Sequence, residues 1–249
     1  MNVLTFGEKK NPAIVLIHGY GITWKMWEKQ INAFKGHYFV VVPLLDGMDL
    51  DTSSEFYSVQ ASANDIINYT KTHLSGSIYA VIGSSLGGSI TIDILSKKQL
   101  KINKAIIDAG VAAPINKYFL KLAIKMRKWQ NKKIASESKC VLNMVKKNMP
   151  EELVEEMVRL SKVLTEKTIH NVHQSVFTYQ LPSSISETTT EVAYWYGSKE
   201  MIHCKKTIEN LKQYLPKIVV KEFKGYNHGE LVMKDAHVFI EQALLFLTH

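Results

Sequence analysis

The stretch "SIYAVIGSSLGGSIT", residues 77–91, decides how this chain is read. It is apolar and β-branched up to Ile82, as a buried strand would be, and then breaks into glycine, two serines, leucine and two more glycines. In the frame Gly83-Ser84-Ser85-Leu86-Gly87 the break is a G-x-S-x-G pattern between a strand and a helix, "LGGSITIDILSKK". A residue at the tip of such a bend takes up strained backbone geometry, and side chains two positions away would collide with it. Centring the pattern on Ser84 would put Ile82 and Leu86 where the glycines belong, so Ser85 is the candidate nucleophile. The helix it opens offers free backbone N–H groups and a positive dipole end. The plain alternative is a glycine-rich crossing with no chemistry.

Working outward, short apolar runs alternate with amphipathic stretches, which predicts a mostly parallel sheet flanked by helices. "AIVLIHG" (13–19), "YFVVVPLL" (38–45), "SIYAVIG" (77–83) and "KAIIDAG" (104–110) read as strands. "WKMWEKQINAF" (24–34) and "SVQASANDIINYTKTH" (58–73) read as helices, the second capped by Ser58. From about 113 to 187 the alternation stops and only helices are predicted. One is "NKYFLKLAIKMRKWQ" (116–130), with Tyr118, Leu122, Met126 and Trp129 near one side. Another is "PEELVEEMVRLSKVL" (150–164), with Pro150 suiting its first turn, and a third is "EKTIHNVHQSVFTYQ" (166–180). After the polar connector "LPSSISETTT" the pattern returns with strands "EVAYWYG" (191–197) and "KIVVKEF" (217–223) and helices "CKKTIENLKQYL" (204–215) and "AHVFIEQALLFL" (236–247). The expected organisation is a core domain of residues 1–112 and 188–249, interrupted by an all-helical insertion, 113–187.

Serine needs a base within hydrogen-bond reach, and the base needs a group to orient it. His228, in the glycine-flanked loop "KGYNHGEL" after the last strand, is the histidine placed to serve Ser85. His170 and His173, three apart on an insertion helix, read as a surface face rather than a metal site. His203 reads as structural, and His249 is the terminus. Glu200, in "YWYGSKEM" at the preceding strand end, is the favoured acid, and Asp108, at the end of "AIIDAG", is its rival. Glu230 is close in sequence to His228 and reads as too local. A forming oxyanion calls for two backbone donors. Leu86 N–H at the helix start is one, and Tyr20 N–H in "LIHGYG" is the other. His18 is expected to brace that loop.

Composition narrows the classes. The chain has 249 residues, 46% of them hydrophobic, enough for a sizeable core. Its net charge is +8, yet only Arg127 and Arg159 of the 31 basic residues are arginine. Nucleic-acid readers lean on arginine's bidentate fork, so nucleic acid is not an expected partner. The insertion carries most of the excess, with 13 basic and 7 acidic residues, read as a solvated outer face. No apolar run approaches the ~18 residues of a membrane span, and "MNVLTFGEKKNP" has no signal-peptide pattern. Cys140 and Cys204 lie far apart and read as core filler in a reduced, cytoplasmic setting.

Taken together, "HGYG", "GSSLGG", "YGSKE" and "GYNHGE", in the order serine, acid, histidine, resemble the α/β-hydrolase superfamily over nearly the whole chain. Two features depart from the family's usual pattern: the acid is Glu rather than Asp, and "PLLDGMD" (43–49) matches the "D-x-x-G-x-G" turn only in part. The resemblance implies an α/β-hydrolase fold with Ser85 as nucleophile, His228 as base and Glu200 as acid. Tyr20 and Leu86 would supply the oxyanion amides, and the insertion would be a helical cap. It also implies hydrolysis of an ester, thioester or lactone of a small, largely apolar acyl group, with no metal or other cofactor. Trp129, Met126 and Phe177 are the expected substrate-binding residues. Amide or C–C bond hydrolysis, or a low-turnover small-molecule receptor, are the alternatives on the same fold.

Overall fold

The computed structural model describes residues 1–248. His249 and the side chain of His203, and with them the reading of His203 as structural, lie outside the described residues. Among the described residues seven strands form one sheet: β1 (Asn2–Phe6), β2 (Ala13–Ile17), β3 (Phe39–Leu44), β4 (Ser77–Ser84), β5 (Lys101–Asp108), β6 (Glu191–Gly197) and β7 (Val219–Phe223). Their order is β1-β3-β2-β4-β5-β6-β7, and only β1 runs antiparallel to its neighbour. Six of the strands fall on the apolar runs of the sequence. β1 does not, because it is a half-exposed edge whose residues never form a fully buried run.

Side chains alternate across a strand, so the apolar runs feed two cores. Val15, Ile17, Val41, Val81 and Ile107 face one way, onto α2 (Val59–His73) and α3 (Leu86–Lys97). Ile14, Leu16, Val40, Ala80, Ile82 and Ile106 face the other way. There they meet Trp27, Ile31 and Phe34 around α1 (Glu28–Phe34), and Phe239 and Leu247 of α10 (Ala236–Thr248). The predicted 24–34 helix begins as one 3₁₀ turn, Trp24–Trp27. Ser58 caps α2 as expected, its hydroxyl accepting from Ala61 N–H at 3.0 Å.

Between β5 and β6 the chain forms α4 (Lys117–Ala135), α5 (Lys139–Val145), α6 (Glu151–Val163), α7 (Glu166–Phe177) and a 3₁₀ turn. Asn116 caps α4 and Thr165 caps α7 through their side-chain oxygens. Pro150 sits just before the first turn of α6, which opens with Glu151 and Glu152. α7 is tied to the sheet domain by Val59 N–H to Ser175 Oγ (2.8 Å) and Asn171 Nδ2 to Phe56 O (2.9 Å). α6 is tied by Glu156, whose buried carboxylate accepts from Thr23 Oγ1 at 2.9 Å and pairs with Lys25 and Arg159, both at 3.3 Å. Several lysines of this region form surface ion pairs, such as Lys128 and Lys132 with Glu166.

Three expectations change here. Cys204 is buried and its thiol is pushed up to about 12 by burial, but Cys140 is exposed and is not core filler. His173 is buried rather than on a surface face. It packs edge-on against Tyr20 at 4.8 Å, and burial lowers its pKa to about 4. Tyr118, Leu122, Met126 and Trp129 do share one side of α4, but it is the side turned to solvent. After β7 come α9 (Glu230–Met233) and α10, and α8 (Met201–Tyr214) joins β6 to β7. Among the described residues no helix is long and apolar enough to cross a membrane, and no acidic, histidine and cysteine cluster is placed to hold a metal.

Candidate active site

Ser85 sits between β4 and α3 with φ 56° and ψ −111°, a conformation that costs a non-glycine residue of order 1–3 kcal/mol. The bend closes only because its neighbours lack side chains. A Cβ on Gly83 would lie 2.2 Å from Gly87 O, and one on Gly87 would lie 2.1 Å from Ile17 O. Ser85 N–H is anchored to Asp108 O at 2.7 Å, so the bend is also pinned to the end of β5.

His228 reaches Ser85 from the loop after β7. Its Nε2 lies 2.8 Å from Ser85 Oγ, and its Nδ1 lies 2.5 Å from Glu200 Oε2. Gly225 and Gly229, both at positive φ, let this loop turn on either side of the ring. Glu230 is indeed local: its carboxylate accepts from Asn227 N–H at 2.9 Å and holds the loop from within. Glu200 ends a 3₁₀ turn after β6 and is buried. Its other oxygen, Oε1, accepts from Gly197 N–H at 2.8 Å. The two loops are joined by Lys199 N–H to Tyr226 O (3.1 Å) and Gly225 N–H to Ser198 Oγ (2.9 Å).

The rival carboxylate is occupied elsewhere. Asp108 Oδ2 accepts from Ser84 Oγ at 2.7 Å, and burial pushes its pKa well above the usual carboxylate range. Ser84 opposes that rise and the charge of Glu200 adds to it. The His228 ring is about half open (53% exposed), facing the cavity. What burial it has works to lower its pKa, but the hydrogen bond and charge of Glu200, with Asp108 behind, outweigh this and hold it above the ordinary value near 6.5.

His18 braces the neighbouring loop as expected. It is fully buried, with Leu45 N–H donating to its Nε2 at 3.2 Å, so the proton is on Nδ1, which donates to Gly19 O at 2.9 Å. Burial lowers its pKa to about 4, keeping the ring neutral. Gly19 lies against Ser85: a Cβ there would be 3.4 Å from the serine's own Cβ. Gly19 N–H is taken by Met26 Sδ at 3.3 Å. Among the described residues no protein acceptor takes the N–H of Tyr20 or of Leu86. The first-turn amide of a helix has no intrahelical partner.

A cavity of about 240 Å³ opens above Ser85 and His228. Tyr20, Met26, Met149, Met157 and Met233 form apolar walls, and Arg127, Gln130, Asn131 and Ile134 of α4 line the other side. None of the lining residues is acidic. Met126, Trp129 and Phe177 do not line it. Met126 and Trp129 are 54% and 55% exposed on the outer side of α4, and Phe177, the last residue of α7, packs against the core beside His173. A helical period computed from apolar residues alone selects the wrong side of this helix. Leu120, Ile124 and Ile134 make the other side apolar as well, so the sequence of this helix does not mark which side meets the cavity.

The sequence model described as alpha/beta hydrolase fold matches residues 12–144, which hold β2 to β5, the Ser85 bend and the start of the helical region. The chain belongs to the α/β-hydrolase family. This α/β hydrolase is 30% identical over 94 residues to the magnesium-chelatase 30 kDa subunit of Rhodobacter capsulatus, a match covering 37% of this chain and 33% of that protein. It thus spans about a third of the length of the curated relative it matches. Among solved structures it resembles an α/β-hydrolase family protein from Desulfitobacterium hafniense with a TM-score of 0.79, at 19% identity over 99% of this chain and all of that one (100%). It also resembles bromoperoxidase from Bacillus anthracis (0.78, 16%, covering 99% and 95%). A third is naproxen esterase from Bacillus subtilis (0.74, 17%, covering 98% and 86%). At these identities the likeness is one of fold.

Proposed function

We propose that this α/β hydrolase is a serine hydrolase that cleaves a small carboxylic ester, or a related thioester or lactone, through an acyl-enzyme. The observation that carries the reading is the unbroken chain Ser85 Oγ, His228 Nε2, His228 Nδ1, Glu200 Oε2, with links of 2.8 and 2.5 Å, at a strained bend beneath a cavity. Ser85 attacks the substrate carbonyl as His228 takes its proton. Glu200, held by Gly197 N–H, fixes the imidazole with its proton on Nδ1 and stabilises the charge it gains. The tetrahedral oxyanion is received by Tyr20 N–H and Leu86 N–H, each such donor being worth about 3 kcal/mol of barrier. His228 then protonates the leaving group, and water activated by the same ring clears the acyl group. No metal or organic cofactor enters this scheme.

Residues 113–187 serve as the cap over the site, and α4 supplies its roof. The methionine walls suit a small, adaptable apolar acyl group. Arg127 adds a second element of selectivity. Its Nη1 donates to the neutral Gln130 at 2.9 Å, and among the described residues it has no carboxylate partner. We assign it to an anionic group at the far end of the substrate. The free thiols of Cys140 and Cys204 support a reducing, cytoplasmic setting.

The test is hydrolysis of p-nitrophenyl esters from acetate to decanoate by the wild type and Ser85→Ala side by side. Chain-length-dependent turnover that vanishes in Ser85→Ala is expected. Turnover retained by Ser85→Ala would overturn the assignment. Absence of turnover in both folded proteins would favour a low-turnover receptor on the same fold.

A further inference from the structure

Helix α4 buries Leu120, Ile124 and Ile134 on its inner side. On the outer side Tyr118 and Phe119 are each 69% exposed, Leu122 63%, Met126 54% and Trp129 55%. At about 100° per residue these five fall within an arc of roughly 100°. Lys117, Lys121, Lys125, Lys128 and Lys132 fill the adjoining arc of about 80°. Lys128 and Lys132 are paired with Glu166, whereas Lys117, Lys121 and Lys125 have no acidic partner among the described residues. So large an exposed apolar stripe, rimmed by unpaired cations, marks a surface that meets something.

The chemistry of the stripe selects the occupant. Aromatic rings beside aliphatic side chains, with lysines along one border, are the composition of a helix lying in a bilayer interface, where rings sit at headgroup level and lysines reach phosphates. A second copy of the chain fits poorly, because α4 contains no aspartate or glutamate to meet the other copy's lysines. Nucleic acid would leave Leu122 and Met126 unburied. We propose that the outer face of α4 docks onto the surface of an anionic lipid bilayer, with Tyr118, Leu122 and Trp129 in the headgroup layer and Lys121 and Lys125 on lipid phosphates. Because the inner side of α4 lines the cavity, docking brings the cavity roof to the membrane surface. The surface stands apart from the chemistry at Ser85 and does not depend on it.

The experiment is flotation of the full chain with vesicles of phosphatidylcholine alone and of phosphatidylcholine mixed with phosphatidylglycerol. Binding to the anionic vesicles only, falling steeply with added salt, is expected. A blue shift of tryptophan emission that is lost in Trp129→Phe would place the stripe in the interface. Lys121→Gln/Lys125→Gln should weaken partitioning about thirty-fold, at ~1 kcal/mol per lysine. Phe119→Ser/Leu122→Ser should abolish it. Both variants should keep the wild-type far-UV circular dichroism and Tm, which shows that they are folded, and Ser85→Ala should bind vesicles normally. Equal binding to both vesicle types, binding to neither, or a dimer in solution that Phe119→Ser/Leu122→Ser dissociates would each overturn the proposal.

Discussion

Ser85, His228 and Glu200 hang from the ends of β4, β7 and β6, whereas Arg127, Gln130 and Asn131 reach the same cavity from one helix outside the sheet. The first group is fixed by backbone: a strained φ at Ser85, glycines that tolerate no Cβ, and main-chain bonds between the two loops. The second is fixed by side chains and by how the helical block rests on the sheet, through Glu156 and the α7 contacts. Parts held by a hydrogen-bonded sheet keep a sub-ångström geometry suited to chemistry. Parts held by a few side-chain links can shift, which suits selection and entry of a ligand. Substitutions in the sheet-borne group should therefore act on kcat, and substitutions in the helical group on KM and stability.

After the loss of turnover in Ser85→Ala, the largest effect is expected at Glu200. Glu200→Gln keeps the shape but loses the charge that supports the imidazolium, and kcat should fall about 10³–10⁴-fold in burst-free steady-state kinetics. Asp108→Asn, which keeps an acceptor for Ser84, should leave kcat within about tenfold. The reverse ranking would make Asp108 the working acid. Next is Arg127→Gln. KM for esters bearing a carboxylate should rise about tenfold, while neutral esters change little, because one charged hydrogen bond is lost. Equal changes for both substrates would remove the anion role.

Glu156→Ala removes the link between α6 and the turn at Thr23, leaving the O–H donor of that buried threonine without its acceptor at a cost of about 1–3 kcal/mol. The exposed Lys25 and Arg159 pairs add little. A chain of this length should lose roughly 2–4 °C of Tm per kcal/mol, with KM changing more than kcat. The smallest effect is on pH dependence. His228 accepts a proton only when neutral, and its pKa is raised, so kcat/KM should fall as the pH drops through a value above 6.5. Asp108 helps to raise that pKa, so Asp108→Asn should move this acid limb to lower pH. An unmoved limb in the pH–rate profile would mean that the two groups do not interact.

Most of the sheet was legible because its signals are local. Apolar runs such as "AIVLI" and "FVVVPL" are buried on both faces and cannot lie elsewhere, and the glycines around Ser85 answer to atoms within a few residues along the chain or on the next strand. The same locality marked His228 between two glycines and His18 as a brace. β1 escaped because an edge strand open to water needs no apolar run.

Sequence by itself thus determined the strand-bend-helix at Ser85, the glycine-flanked loop that carries His228, and the helical nature of most of residues 113–187. Tertiary structure decided which carboxylate meets the imidazole. The sequence favoured Glu200 but left Asp108, at the end of the neighbouring strand, as its rival; the 3₁₀ turn after β6 brings Glu200 onto His228 while Asp108 accepts from Ser84. It also decided which side of α4 faces the cavity. An amphipathic helix with apolar residues on two sides carries no local mark of direction. Only the packing of Leu120, Ile124 and Ile134 against the rest of the molecule turns Arg127 toward the cavity and Trp129 toward solvent.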